Sequence, residues 1–318
     1  MFGNDNPVVT LNIEPGSARL LVVRGKKVET FKSVSLTADS MKDTIIANVD
    51  EVTAALNDLF KAARVLKTDV ILGLTGLRSV YRIANLPKLK SSKIDEAVRW
   101  VAMREFPFKL DRVNIVWQII GKTKDELKVF LLATPKNILD TTQAALSKAK
   151  IKPKALDIKP LALARFVNMP DAMILDMEND SATIVVVRAG MPQVMHTIVI
   201  QHKDQSAVDR VKRIASDLAR TVMFYNNAHE DNPITSSAQI YVTGKLADDS
   251  DIIELLKESI SYPVQIPEPY LDYPENFPVF EFAVNTGLAL RERSVTKKSK
   301  AYKENQCPIN VNVMPYTE

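Results

Sequence analysis

Two similar hairpin patterns, one near the start of each half of the chain, constrain the fold more than any other feature of this sequence. In the first, alternating apolar residues run into the turn Pro15-Gly16-Ser17, and the apolar run 20–23 follows. In the second, Ile174-Leu175-Asp176-Met177 leads into the polar turn 178–181, and the segment 183–187 leads out. Each pattern predicts strand, tight turn and strand. A chain of 318 residues suits two lobes, so we expect a two-lobed α/β protein with a cleft between facing turns.

The composition is that of an ordinary globular chain, with 46% hydrophobic residues, 25% charged residues and a net charge of +4. No dense basic block interleaved with aromatics occurs, so we expect no nucleic-acid partner. Cys307 is the single cysteine and cannot form an internal disulfide. No apolar run approaches the ~20 residues that span a bilayer, and the first residues lack the layout of a signal peptide. The sequence therefore predicts a cytoplasmic protein.

The first half carries a segment of different character that predicts a small inserted α+β subdomain. Ser91 or Ser92 is expected to cap a helix that ends at Phe106-Pro107-Phe108, because Pro107 disfavours a helical residue before it. Strands over 113–120 and 127–134 follow, and Thr134-Pro135 reads as the N-cap and first residue of another helix. The predicted boundaries are 1–87 for the first part of lobe 1, 88–150 for the insert, 151–170 for the return to lobe 1, 171–293 for lobe 2 and 294–318 for a linker and tail.

The end of the chain departs from globular patterning. Residues 291–306 are polar and basic without apolar periodicity, which predicts a flexible linker. An apolar segment follows over 308–316, with Ile309, Val311 and Val313 in alternation. Alternate apolar residues suit an extended peptide that combines main-chain hydrogen bonds with side-chain pockets. A frayed apolar terminus is the alternative.

The segment from Asp95 to Gly121, together with Val129 to Lys136, resembles the insert of the type IV pilus assembly protein PilM family. The similarity continues through the second hairpin, Ile214 to Asn227, the strand Ile240 to Gly244, and the sequence NTGLALRER. It implies a two-lobed actin-like fold of the FtsA type, in which the insert replaces one actin subdomain. Few residues separate Gln201 from the following helix, which implies a shortened second lobe.

The same resemblance assigns nucleotide binding to a set of positions that are degenerate here: Asn12, Glu14, Gly16, Ser17, Asp176, Glu178 and Gly244. Asn12 stands at the family's Asp, while Glu14 and Glu178 stand at its glycines. A carboxylate about 4 Å from a phosphate oxygen is repelled by roughly 4 kcal/mol at an effective dielectric near 20. We therefore expect exposed turn acids with no cofactor, no metal and no catalytic residue. A rescue by Mg²⁺ on Asp176, Glu178 and Asp180 is the alternative.

The tail also carries part of the resemblance. Asn312-Val313-Met314-Pro315 is similar to the Asn-Leu-Leu-Pro of PilN, the membrane-anchored partner whose tail docks on PilM proteins. The predicted tail motif is therefore Ile309, Val311, Asn312, Val313, Met314 and Pro315. It would fill a groove on its own chain or on a neighbour's, which allows self-association. The candidates for groove or support are Tyr81, Arg82, Trp100, Phe106 and Phe108.

These expectations favour a cytoplasmic scaffold at the face of the inner membrane, which acts by binding a PilN-like tail rather than by catalysis. The three histidines lack metal-ligand spacing, and no P-loop or nucleophile motif occurs. The main alternative is an active actin-like ATPase that binds Mg-ATP through altered turns. A division-type filament protein anchored by its tail is less favoured, because a segment with two prolines makes a poor membrane helix.

Overall fold

The computed structural model describes residues 6–314, except 43, 77, 108, 201–205, 269 and 292–306. The strands are β1 Val8–Glu14, β2 Ser17–Arg24, β3 Lys27–Ser35, β4 Met41–Lys42, β5 Ile45–Ile46, β6 Val70–Leu74, β7 Val80–Pro87, β8 Val113–Lys122, β9 Glu126–Pro135, β10 Pro153–Ile158, β11 Ala172–Met177, β12 Ser181–Arg188, β13 Met191–Val199, β14 Ile240–Thr243 and β15 Val264–Gln265. The α-helices are α1 Val49–Ala63, α2 Ser91–Glu105, α3 Lys136–Lys148, α4 Lys159–Val167, α5 Ala207–Ala228, α6 Ser250–Ser259 and α7 Ala283–Arg291.

Lobe 1 is built on a sheet with the order β10-β6-β1-β2-β3. The first predicted hairpin is confirmed, since β1 pairs antiparallel with β2 around the turn at Gly16. β6 runs parallel to β1, and β10 runs parallel to β6. The apolar face of α1 packs into the same core, and the predicted cap is present because the Asn48 side chain accepts a hydrogen bond from the Glu51 N–H.

The insert is a sheet with the order β7-β9-β8, and α2 contributes to the apolar core of this subdomain. Two details differ from the sequence predictions. The residue that caps α2 is Lys90, and no side chain caps the helix; at the start of α3 the N-cap is Pro135 rather than Thr134. Strand β7 pairs with β9 over its whole length, and α3 packs against α1 of lobe 1. The boundaries 88–150 for the insert stay a prediction.

Lobe 2 repeats the plan of lobe 1, with the sheet order β13-β12-β11-β14-β15. The second predicted hairpin, β11 with β12, is confirmed. Helix α5 covers this sheet from the predicted cap Ser206, whose side chain accepts a hydrogen bond from the Asp209 N–H. Only residues 200–206 separate β13 from α5, in agreement with a shortened lobe.

Helices α4 and α7 pack closely against each other, with α7 against β1 of the first sheet and α4 against β12 of the second. Gly287 makes this possible, because a Cβ built on it would lie 1.9 Å from the Ala162 carbonyl oxygen. No larger residue fits without separating the helices. Among the residues that the structure describes, no helix is long and apolar enough to cross a membrane.

Candidate functional site: an interlobe cleft and a tail groove

The turns of the two hairpins face each other across a cleft of about 510 Å³. Its walls include Gly16 from the first turn and Asp180 from the second, with Thr75 and Lys159 at the base. Gly16 has a φ of +84°, and a Cβ there would lie 3.0 Å from the Asp180 carboxylate. The predicted cleft between facing turns is therefore present.

A buried network of ion pairs joins the lobes beside this cleft. Lys159 of α4 lies 2.7 Å from Glu14 of β1 and 2.6 Å from Asp176 of β11. Arg19 of β2 donates two hydrogen bonds to Glu178, at 2.9 and 2.8 Å, and a third to Glu281 at 3.0 Å. Because Lys159 and Arg19 belong to lobe 1 while Asp176 and Glu178 belong to lobe 2, these pairs fix the two hairpins against each other.

The expectation of exposed turn acids is wrong. Glu14 is 1% exposed and Glu178 is 6% exposed. Burial raises the pKa of Glu14, but Lys159 and Arg19 lower it more, so that pKa lies below its ordinary value. Burial and then Glu14 raise the pKa of Glu178 to about 7, against the lowering effect of Arg19. The sequence did not reveal that these acids have buried cationic partners, since Lys159 is 145 residues from Glu14 and Arg19 is 159 residues from Glu178.

The remaining predicted nucleotide positions lie around the same network. Asn12 donates a hydrogen bond to Glu14, and Ser17 begins β2. Asp176 also accepts a hydrogen bond from Thr243 at 2.8 Å. Gly244, with φ +86°, lies against the Met177 backbone, where a Cβ would come within 2.5 Å of the carbonyl oxygen.

This arrangement does not fit a triphosphate. The network holds the carboxylates of Glu14, Asp176, Glu178 and Glu281 against the two cations Arg19 and Lys159. Both cations are committed to carboxylates, whereas phosphate sites supply cations and N–H groups that face the ligand.

A second site, the tail groove, lies between the insert and lobe 1, where the described end of the chain, residues 307–314, is seated in extended form. Its alternate side chains are buried, at 2% exposure for Cys307, 0% for Ile309, 3% for Val311 and 0% for Val313. They join the core cluster of lobe 1 rather than a separate patch. A frayed terminus is therefore excluded for these residues.

Strands on both sides of the groove bind the backbone of the tail. The Gln118 side chain of β8 donates to the Pro308 carbonyl at 2.9 Å and accepts from the Asn310 N–H at 2.7 Å. Asn114 of β8 donates to the Val313 carbonyl at 3.1 Å. On the other side, the Leu156 carbonyl of β10 accepts from the Val313 N–H at 2.8 Å. These bonds replace those that a neighbouring strand would make.

Two arginines complete the floor of the groove. Arg165 of α4 donates to the Ile309 carbonyl at 3.1 Å, and Arg291 at the end of α7 donates to the carbonyls of Val311 and Asn310 at 2.9 and 3.1 Å. Asp157 holds both guanidinium groups, at 2.7 and 3.2 Å. The charge of Asp157 thus orients buried donors toward three successive carbonyls of the tail.

The Asn312 side chain supplies the polar contact that depends on tail sequence. Its Oδ1 accepts from the Leu156 N–H at 2.9 Å and from the Met314 N–H at 3.2 Å. The groove therefore fits an extended segment with alternate apolar residues and an asparagine just before the last of them. Pro315 of the predicted motif lies outside the described residues.

The residues predicted for partner binding lie away from the described contacts of the tail backbone. The Tyr81 hydroxyl donates to the Gln193 carbonyl of lobe 2 at 2.6 Å, and Arg82 lies 3.8 Å from Glu105. Phe106 is buried in the core of the insert, whereas Trp100 is 65% exposed. Phe108 lies outside the described residues.

The groove residues Asn114, Gln118, Arg165 and Arg291 were missed by sequence reasoning. A signal was present for three of them. Arg165 interrupts a short helix that is otherwise apolar after its first residue, and such an arginine must be buried with a partner. Asn114 and Gln118 share one face of β8 because they are four residues apart.

Comparison with known proteins agrees with this geometry. The family model described as "Type IV pilus assembly protein PilM" matches residues 22–212, more than half of the chain. The chain belongs to the PilM family. A solved structure described as "PilM-PilN type IV pilus biogenesis complex" is similar over 91% of this chain and 99% of that chain, with 21% identity and a TM-score of 0.74. The ethanolamine utilization protein EutJ from Carboxydothermus hydrogenoformans is similar at 12% identity over 90% of this chain and 89% of that chain, with a TM-score of 0.55. These likenesses establish the predicted actin-like fold of this PilM-family protein.

Proposed function

We propose that this chain is a cytoplasmic scaffold of the inner-membrane assembly platform of a type IV pilus, or of a related secretion machine. It binds the cytoplasmic tail of a PilN-like membrane protein in the tail groove, and it acts without ATP hydrolysis. The observation that carries the proposal is the groove between β8 and β10, with its donors set for an extended backbone. The family match and the likeness to a complex named for PilM and PilN support the choice of partner.

Binding in this groove suits a scaffold because it depends on main-chain hydrogen bonds and on pockets that bury alternate side chains. Such sites grip a flexible tail without any covalent step. A partner anchored in the membrane would hold this chain at the cytoplasmic face of the inner membrane.

The buried ion pairs beside the cleft support the absence of ATP hydrolysis. A triphosphate would have to displace either Lys159 from Glu14 and Asp176 or Arg19 from Glu178. Removing one partner of a buried pair leaves an uncompensated charge at a cost of about 3–5 kcal/mol. Micromolar binding has a total of only about 8 kcal/mol, so little affinity would remain.

The size of the cleft favours one alternative, an ATPase that accepts Mg-ATP through altered turns. Calorimetry of the full chain separates the two functions. The scaffold predicts heat on titration of a synthetic PilN-like cytoplasmic tail up to concentrations on the order of a millimolar, because the chain's own end occupies the groove. It predicts no heat on titration of Mg-ATP at micromolar concentrations. Micromolar binding of Mg-ATP together with no binding of the tail peptide would support the ATPase and refute the scaffold.

A further inference from the structure

The occupant of the tail groove in this structure is the chain's own end, residues 307–314. Its fit is as close as that of a core strand. Ile309 and Val313 are each 0% exposed, and hydrogen bonds from Gln118, Arg165 and Leu156 hold its backbone. A segment with this fit competes with any other peptide for the groove.

The geometry is compatible with docking on the same chain. Arg291 ends α7, and its side chain donates to the carbonyls of Asn310 and Val311. The chain that leaves α7 at Arg291 therefore returns through residues 292–306 to the same side chain. Tethering over a short connection gives an effective concentration on the order of millimolar.

We infer that residues 307–314 are a tethered competitor, which keeps the tail groove closed to a partner's tail until the partner displaces it. This inference rests on the proposed function only for the identity of the partner. Occupancy by the chain's own segment is a separate statement about this molecule. The segment to be displaced has alternate apolar residues and the Asn312 contact, so the partner must present the same chemistry.

The effect of this competition on a partner's affinity can be estimated. Suppose that the chain's own segment, if untethered, bound the groove with a dissociation constant of about 10 µM. An effective concentration near 1 mM would then weaken a partner's apparent affinity on the order of 100-fold. The native chain would then respond only to a partner that is tight, abundant or itself clustered at a membrane. The groove would be available at the assembly site and closed elsewhere.

Cys307 reports the position of the segment without any label. It is the single cysteine of the chain and is 2% exposed. Burial raises the pKa of its thiol, which slows reaction with a disulfide reagent while the segment is docked. Undocking exposes the thiol, so the rate of its reaction measures how often the groove is open.

The test uses the full chain and two variants with the same added charge. Val313→Asp places a carboxylate in the groove, whereas Val208→Asp places one at the start of α5, where Val208 is 40% exposed. We expect Val313→Asp to raise the reaction rate of Cys307 by at least about tenfold, and Val208→Asp to change it less than about twofold. Equal rates in the two variants would overturn the inference.

Dilution separates docking on the same chain from exchange between chains. Protection of Cys307 in the native chain should be the same at the lowest and highest protein concentrations, because a tethered segment has a fixed effective concentration. Protection that is lost on dilution would overturn docking in cis.

Competition is measured with a labelled peptide of residues 308–318, whose binding does not depend on the identity of the partner. We expect this peptide to bind the Val313→Asp chain at least about tenfold more tightly than the native chain. Equal binding would refute competition. A PilN-like peptide that fails to bind the Val313→Asp chain, while the 308–318 peptide binds it, would instead refute the proposed partner.

Discussion

Replacing Lys159 with Met removes the cation that lies between the two lobes, and it should be among the most damaging single substitutions in this chain. Lys159 is 1% exposed and lies within 2.7 Å of Glu14 and 2.6 Å of Asp176. Met fills a similar volume, so the effect comes from charge rather than from a cavity. Both carboxylates would then be buried without this partner.

Breaking a buried ion pair by removing one partner costs about 3–5 kcal/mol. We expect Lys159→Met to lower the free energy of unfolding by that amount at pH 7, as measured by urea titration at constant slope. The pKa of Glu14 should rise in the variant, because burial then acts without the lowering effect of Lys159. Stability lost through a raised carboxylate pKa is regained as the pH falls through it, so the deficit should shrink as the pH is lowered.

The chain offers a matched control and a rescue for this substitution. Lys148 forms an ion pair with Asp50 at the surface, and Lys148→Met should cost less than about 1 kcal/mol. Adding Glu14→Gln and Asp176→Asn to Lys159→Met removes the stranded charges and should recover most of the loss. A Lys159→Met chain that is as stable as the Lys148→Met chain would refute the account of the network.

Three further predictions concern separate parts of the molecule. Glu178→Gln should remove a pH dependence of the free energy of unfolding. Because the pKa of Glu178 is raised to about 7, its contribution to native stability is full below about pH 4.5 and is lost as the pH rises through 7, by up to about 3 kcal/mol. Urea titrations over a pH series that run parallel for the native and variant chains would contradict this. Gly287→Ala should separate α4 from α7, since its Cβ would meet the Ala162 carbonyl. We expect it to lower the free energy of unfolding by at least about 3 kcal/mol. A loss below about 1 kcal/mol would show that the two helices can move apart at little cost, and would refute this account of Gly287. Trp100→Ser should change the urea midpoint negligibly, whereas Phe106→Ala in the insert core should cost about 3–5 kcal/mol; similar costs for both would refute their placement.

The two hairpins of the fold were predictable from local sequence, because each consists of alternating apolar residues on either side of a turn signal. The β1–β2 and β11–β12 pairs and the caps at Asn48 and Ser206 follow from residues close together in the chain. Helix α2 was predicted, but its serine cap was not formed and Lys90 stands at that position. Local patterns thus predicted which helices and strands form better than they predicted the residues at which these begin and end.

The chemistry of the two sites was much less predictable, because it depends on residues far apart in sequence. Glu14 and Glu178 read as acids at turns, and only the fold brings Lys159 and Arg19 against them. The tail was recognised as an extended apolar segment. The residues that hold it come from β8, α4 and α7. Asn114 and Gln118 share one face of β8, but nothing local to Arg291 marks a groove.

The most direct test of the proposed scaffold is the affinity of a PilN-like tail peptide for the tail groove, measured by fluorescence anisotropy with the Val313→Asp chain, in which the groove is released. A second chain carries Asn114→Ala and Gln118→Ala in addition, which removes side-chain contacts to the peptide backbone from β8. We predict that the peptide binds the first chain, that the added substitutions weaken binding by at least about tenfold, and that Mg-ATP changes neither value. Equal affinity for the two chains, or binding that requires Mg-ATP, would contradict the account.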